Sequence, residues 1–128
     1  MKKQISFLVL LVLTGCGIHV PVIDVATVTP EALQQARRIN VVESNGTFSH
    51  PEISETLGNI TAYSCRKMLN GPPATIGDAL IQLRLNAVAI GADGIKDLAY
   101  DSTSINTFYC LNCWETVKVS GVAVKFKK

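Results

Sequence analysis

Hydrophobic residues recur with helical spacing between residues 74 and 90, and this is the clearest periodic pattern in the chain. The apolar positions step by four, three, four and three along Ile76, Leu80, Leu83, Ala87 and Ile90. That spacing places them on one face of an α-helix. Gly91 follows directly, and glycine is common after a helix C-terminus because it adopts positive φ without strain. The pattern predicts one main helix with an apolar face.

Segments that we interpret as β-strands lie on both sides of this helix. Residues 39–43 and 57–64 precede it, and residues 95–101 and 117–126 follow it. The order β-β-α-β-β predicts an α+β fold of two layers, a small mixed sheet with the main helix packed across it. The strands that flank the helix should run parallel, joined by a right-handed crossover. Asn70-Gly71-Pro72-Pro73 forbids regular structure between them.

Three further expectations concern the ends of these elements. Thr29-Pro30-Glu31 combines a hydroxyl N-cap, a proline and an acid, which predicts a short helix up to residue 38. Residues 51–56 should be irregular or form a single helical turn. The last strand carries apolar residues on both faces, so we expect a β-bulge at Ser120-Gly121, or a strand buried on both faces.

The first fifteen residues have the pattern of a bacterial lipoprotein signal. Lys2-Lys3 precede a short apolar run, which ends at Leu13-Thr14-Gly15-Cys16. The run is too short to span a bilayer, so it predicts a cleaved signal. Cleavage would leave Cys16 at the new N-terminus, with a diacylglycerol on its thiol and a third acyl chain on its amine. In enterobacterial-type sorting an Asp at the next position retains a lipoprotein in the inner membrane, so Gly17 predicts the outer membrane.

Removal of the signal changes both length and charge. The mature chain would keep 113 of 128 residues, and loss of Lys2 and Lys3 lowers the Lys+Arg count from 12 to 10, equal to the ten Asp+Glu. A neutral chain argues against nucleic-acid binding. We therefore expect a cleaved signal (1–15), a lipidated cysteine and tether with a short helix (16–38), and one globular domain (39–128). An extended tether of about twenty residues would reach roughly 65–70 Å.

Three cysteines remain after Cys16, and export favours disulfides. Cys65 paired with Cys113, or with Cys110, would join the end of the second strand to the start of the last and leave one spare thiol. Cys110 and Cys113 also have C-x-x-C spacing, but a strand and not a helix follows them, unlike in thioredoxin-like enzymes. A metal site of the three cysteines and His50 is a further alternative.

The rest of the chain lacks catalytic motifs. It has no Ser-His-Asp arrangement, paired carboxylates, phosphate-binding loop or zinc-protease helix. The sequence therefore predicts a protein that is not an enzyme and has no cofactor, metal site or small-molecule substrate.

Short motifs in a fixed order carry a family resemblance over residues 39–126. They are Leu57-Gly58-Asn59-Ile60, Ser64-Cys65, Pro72-Pro73, Leu85-Asn86-Ala87, Ala92-Asp93-Gly94, Cys113-Trp114 and Gly121. In this order and spacing they resemble the RcsF family, outer-membrane lipoproteins that sense envelope stress for the Rcs phosphorelay. Members report damage to lipopolysaccharide or peptidoglycan by contacting an inner-membrane regulator of a histidine-kinase phosphorelay. They are also held by the barrel-assembly protein and by outer-membrane β-barrels.

The resemblance implies a disulfide and two departures from the family. Two non-consecutive disulfides cross-link the family's domain, and one corresponds to Cys65 with Cys113. The positions aligned with the other pair are Tyr100 and Val119, neither of which is cysteine, and Cys110 has no counterpart. The family's long, basic, proline-rich tether, thought to thread outer-membrane barrels, is replaced here by a shorter segment poor in proline.

The resemblance thus implies a non-enzymatic stress sensor anchored in the outer membrane, with its domain in the periplasm or exposed at the cell surface. Its partners would be membrane lipid, outer-membrane β-barrel proteins and an inner-membrane signalling regulator. Two other functional classes stay open. One is a structural or assembly accessory of an envelope complex, and the other is a thiol-redox or metal-binding lipoprotein that uses Cys110 and Cys113.

Overall fold

The computed structural model describes residues 22–42, 51–103 and 113–128 of the chain. Within them a four-stranded mixed sheet packs against a helix, and a second helix packs against the first. The elements in chain order are α1 (Pro30–Arg37), β1 (Asn40–Val42), β2 (Ile53–Arg66), α2 (Ile76–Ala89), β3 (Gly94–Thr103) and β4 (Glu115–Phe126). The α+β class and the β-β-α-β-β order are confirmed.

The sheet has the strand order β1-β3-β4-β2. β4 pairs antiparallel with both β2 and β3, and β1 pairs parallel with β3. Strands β2 and β3, which flank the main helix, therefore run parallel as predicted. They are not neighbours, because the last strand of the chain lies between them. β4 is thus an interior strand that connects β2 to the rest of the sheet.

The main helix α2 begins and ends close to the predicted positions. Thr75 is its N-cap, and the Asp78 N–H donates to the Thr75 hydroxyl at 3.1 Å. Beyond the C-terminus Gly91 has a φ of 78°, the left-handed conformation that glycine adopts without cost. No helix in the described part of the chain is both long and apolar enough to cross a membrane.

The prediction of an apolar face on α2 is correct for the middle of the helix and wrong for its two ends. Leu83 and Ala87 are completely buried, but Ile76 is 48% and Ile90 47% exposed. These two isoleucines occupy the first helical position and the C-cap. The sheet buries the middle residues of the helix, and helical spacing alone does not show which residues lie beyond the sheet.

The strand β2 starts earlier than predicted, so the expectation that residues 51–56 are irregular or helical is wrong for the part from Ile53 onward. The β2–β4 register shifts by one residue between Ile53 and Glu55 and again between Thr56 and Gly58. Gly58 has a φ of 126°, which favours glycine. Two bulges thus let β2 continue through residues whose pattern does not alternate.

The expected β-bulge at Ser120-Gly121 is also wrong. Both residues lie in regular register with β2, and the extra residue lies in β3 instead, between Lys96 and Ala99. Asp97 has a φ of 54° at that place. The bulge beside Ser120-Gly121 therefore belongs to the neighbouring strand β3, and β4 itself is unbroken there.

The alternative expectation, a last strand buried on both faces, describes β4 better. Val117, Val119 and Ala123 point toward α2 and belong to the core, while Thr116 and Val124, of the opposite parity, are buried as well. Two buried parities are therefore compatible with an unbroken β4.

The short helix α1 forms as predicted and is part of the packed body. Thr29 is its N-cap, and its hydroxyl accepts a hydrogen bond from the Ala32 N–H at 3.3 Å. Ala36 is 3% exposed, and α1 packs against α2. A 3₁₀ turn at Val25–Thr27 also contacts α2. Most of the segment expected to be a tether is therefore folded against the domain.

Candidate functional site: the disulfide end of the domain

One disulfide joins two neighbouring strands at one end of the sheet. Cys65 lies near the end of β2, opposite Thr116 of β4, and Cys113 lies two residues before β4 begins. Their sulfur atoms are 2.03 Å apart, with a Cα–Cα distance of 5.3 Å. The pairing of Cys65 with Cys113 is therefore confirmed.

Polar contacts fix the chain on both sides of this bridge. The Trp114 N–H donates to the Arg66 carbonyl at 2.7 Å, which extends the β2–β4 ladder by one bond. The Arg66 guanidinium lies 3.7 Å from the Glu115 carboxylate and also donates to the Gly71 carbonyl at 3.3 Å. Because this ion pair is about a third exposed, it adds at most about 1 kcal/mol to stability.

The loop from β2 to α2 is tied to the same end. The Thr75 N–H donates to the hydroxyl of Ser64, which is only 5% exposed, at 3.0 Å. The Gly71 N–H closes a turn on the Met68 carbonyl at 2.9 Å. Residues 70–73 have no regular structure, as predicted. We call this region, formed by residues 22–26, 63–78 and 113–115, the disulfide end.

An open groove of about 650 Å³ lies between the N-terminal segment and this loop. Its apolar lining includes Ile23, Val25, Tyr63, Met68, Pro72 and Pro73. Asp24, Lys67 and Asp78 supply charged groups of both signs. The groove therefore has a mostly apolar character without a strong charge preference.

A smaller depression of about 420 Å³ lies at the opposite end, near Arg38, Asp93 and Phe126. The Asp93 carboxylate there accepts a hydrogen bond from the Phe126 N–H at 3.0 Å, and the Asp93 N–H donates to the Val124 carbonyl. Asp93 thus anchors the end of β4, which is a structural role.

Exposed apolar side chains concentrate at the disulfide end. The described residues include seven large hydrophobic side chains that are exposed, and five of them lie here. These five, which we call the apolar rim, are Ile23 (39% exposed), Met68 (66%), Leu69 (64%), Ile76 (48%) and Trp114 (39%). Clustered exposed apolar groups are typical of surfaces that bind a protein or a membrane.

Sequence reasoning missed most of this rim. One sequence feature indicates exposed apolar residues here: Met68 and Leu69 are two large apolar residues directly before the Asn70-Gly71-Pro72-Pro73 loop. Residues beside such a loop seldom have a second layer of structure to cover them. The pair could therefore have been predicted to be exposed.

Several predicted site residues lie outside the described residues. These are Cys16, Cys110 and His50. Lipidation of Cys16 and the spare thiol of Cys110 therefore remain predictions.

The observed disulfide bears on the redox and metal alternatives. Cys113 is bonded to Cys65, so in this state its sulfur is not available for a bridge to Cys110. The same bond removes two of the three thiolates from the suggested Cys₃His set. Among the described residues, no group of three His, Cys, Asp or Glu is placed to hold a metal ion. The arrangement favours a structural disulfide.

The two positions aligned with the family's second bridge are direct partners in the sheet. Tyr100 of β3 pairs with Val119 of β4 in the antiparallel register. Directly opposed residues in such a pair have Cα atoms about 4.5–5.5 Å apart, within the range that a disulfide spans. Both aligned pairs, Cys65 with Cys113 and Tyr100 with Val119, are thus neighbours.

This register gives a test by disulfide formation. We expect the Tyr100→Cys/Val119→Cys variant to form a second disulfide on oxidation, seen as the loss of two hydrogens in intact mass and as resistance to thiol alkylation. Tyr100→Cys/Ala123→Cys is the control, because Ala123 lies four residues further along β4 and about 13 Å away. Free thiols in the first variant, or equal cross-linking in both, would show that the register is wrong.

The sequence matches no protein-family model and no curated protein. Function is therefore inferred from the residues and their arrangement.

Proposed function

We propose that this protein is an outer-membrane lipoprotein that senses envelope stress and signals to an inner-membrane regulator of a phosphorelay, as members of the RcsF family do. The main structural support is the geometry of the two aligned bridge positions. Cys65 is bonded to Cys113, and Tyr100 pairs with Val119. An accidental resemblance would have little reason to bring both pairs together in an α+β domain.

The lipoprotein signal supports the anchored part of the proposal. Leu13-Thr14-Gly15-Cys16 follows a basic and then an apolar segment, as a lipidation signal requires. Each buried methylene of an acyl chain contributes about 0.8 kcal/mol, and one chain alone anchors only marginally. Three chains on Cys16 would hold the domain on the membrane almost permanently.

In this proposal the domain acts through its position and its contacts. The lipid fixes one end of the chain, and the disulfide joins the residue two positions before the interior strand β4 to the edge strand β2, beside the groove. Signalling then depends on which partner the domain meets. Outer-membrane β-barrel proteins would hold it away from the regulator, and envelope damage would release it.

Moving the anchor to the other membrane tests this proposal. We expect Gly17→Asp to retain the lipoprotein in the inner membrane and to activate a phosphorelay reporter constitutively, because the domain and its regulator then share one membrane. Gly17→Ser is the matched control and should leave both location and reporter output unchanged.

The experiment requires a host in which Asp at this position is a retention signal. Membrane fractionation verifies where the Gly17→Asp protein is located. Unchanged reporter output from Gly17→Asp protein found in the inner membrane would contradict the sensor proposal. In vivo cross-linking of the native lipoprotein would then identify its partners. Recovery of a secretion or assembly complex, with no effect of deletion on stress reporters, would favour an accessory role.

A further inference from the structure

The folded body begins very close to the predicted lipid anchor. Val22 and Ile23 already line the groove at the disulfide end. Only five residues lie between Cys16 and Val22, and the six residue steps from one to the other span at most about 20 Å. An extended reach of roughly 65–70 Å is therefore not available while α1 and the 3₁₀ turn stay packed. A lipid on Cys16 would hold the disulfide end, and not the opposite end, next to the bilayer.

The same end carries the apolar rim. Met68 and Leu69 are each about two-thirds exposed, and Met68 lines the groove together with Ile23. Trp114 belongs to the same end of the sheet, because its backbone N–H is bonded to the carbonyl of Arg66, two residues before Met68. Tryptophan is enriched at the boundary between lipid and water, where an apolar ring and a polar N–H are both accommodated.

We infer that the disulfide end docks on the phospholipid surface in which the acylated Cys16 is inserted, with Met68, Leu69 and Trp114 in the interfacial layer. The inference rests on the proposed lipidation of Cys16. The short connection keeps the rim at a high effective concentration near the bilayer, so weak apolar contacts are sufficient for docking.

The charges around the rim indicate which force drives docking. Lys67 is exposed beside Met68, but Asp24 and Asp78 line the same groove. Two acidic groups and one basic group leave no net positive charge to attract anionic lipid, so the attraction comes from apolar side chains. Docking should change little between low and high salt, unlike binding by a polybasic segment.

Trp114 supplies the probe, since it is the chain's single tryptophan. The experiment uses the full-length acylated protein in vesicles of phosphatidylethanolamine and phosphatidylglycerol, with and without bromine on the acyl chains. We expect brominated lipid to lower Trp114 fluorescence about twofold, as for a ring at the lipid interface. The Met68→Ser/Leu69→Ser variant should lose most of this quenching. Ile90→Ser, a similarly exposed isoleucine at the other end of α2, should retain it.

Each outcome separates docking from anchoring. Protein that floats with the vesicles, but whose Trp114 is not quenched by brominated lipid, is anchored without docking, and the inference is then wrong. Shielding of Trp114 from aqueous acrylamide without lipid quenching would mean that a second copy covers the rim. Equal quenching in the Met68→Ser/Leu69→Ser variant would exclude these side chains as the contact. Protein that fails to float would overturn the lipid anchor and, with it, the docking.

Discussion

Replacing Cys65 and Cys113 together with alanine should lower the free energy of unfolding by about 4 kcal/mol. The bridge closes a loop with a sequence separation of 48 residues, and in the chain-entropy model a loop of this length restricts the unfolded chain by about that amount. For a domain of this size the melting temperature should fall by roughly 15–30 °C. Denaturant titration of the double variant and the parent protein measures the difference.

Cys110→Ala is the matched control for this experiment. If Cys110 is a spare thiol, its replacement should change the unfolding free energy by no more than about 0.5 kcal/mol. A loss in Cys110→Ala as large as that in the Cys65/Cys113 variant would contradict the observed pairing. So would a Cys65/Cys113 variant that unfolds at the same denaturant concentration as the parent.

Gly121→Ala should destabilise the domain by about 2–3 kcal/mol, because the core has no space for a methyl group at this position. A Cβ atom on Gly121 would lie 2.5 Å from Ile95 Cγ2, 3.1 Å from the Lys96 carbonyl oxygen and 3.3 Å from Leu98 Cδ2. Ile95 is completely buried and cannot move aside. Thermal and denaturant unfolding of the variant measure the loss.

Gly77→Ala is the control, since it adds the same methyl group at an open site. The nearest atom to a Cβ on Gly77 is the Thr75 hydroxyl oxygen at 4.0 Å. Alanine in the first turn of α2 should therefore be neutral or stabilise the protein by about 0.5 kcal/mol. If Gly121→Ala were as stable as Gly77→Ala, Ile95 would not pack directly over β4 as the structure has it.

The sequence predicts best where a local physical rule decides the outcome. Thr29 carries the hydroxyl that an N-cap needs, and it caps α1 as predicted. Gly91 follows the periodic apolar run and adopts the positive φ that ends α2. Neither feature depends on distant parts of the chain, so local pattern was sufficient.

The sequence could not show where the β-bulges lie, because a bulge is defined by the pairing of two strands. The two apolar parities of β4 correctly argued against a single buried face, but they did not show which strands contain the bulges. The structure has two bulges in β2 and one in β3, and φ is positive at Gly58 and Asp97 beside two of the three. The position of a bulge is decided by the register between segments that are distant in sequence, and the pattern of one strand does not contain that register.

The candidate site was predictable in part. Spacing left Cys65 free to pair with Cys110 or Cys113, and the resemblance selected Cys113, as the structure has it. The apolar rim was not predicted, because helical spacing assigned Ile76 to the core and the exposure of Met68 and Leu69 depends on the folded loop. That the folded body starts beside this rim follows only from the packing of residues 22–38.

The most direct test of the central claim is the intact mass of the protein extracted from bacterial membranes. A lipid-anchored envelope protein predicts a chain that begins at Cys16, lacks residues 1–15 and carries three acyl chains, with Cys65 bonded to Cys113. A chain that still holds its first fifteen residues, or an unmodified Cys16, would contradict both the anchor and the sensor proposed from it.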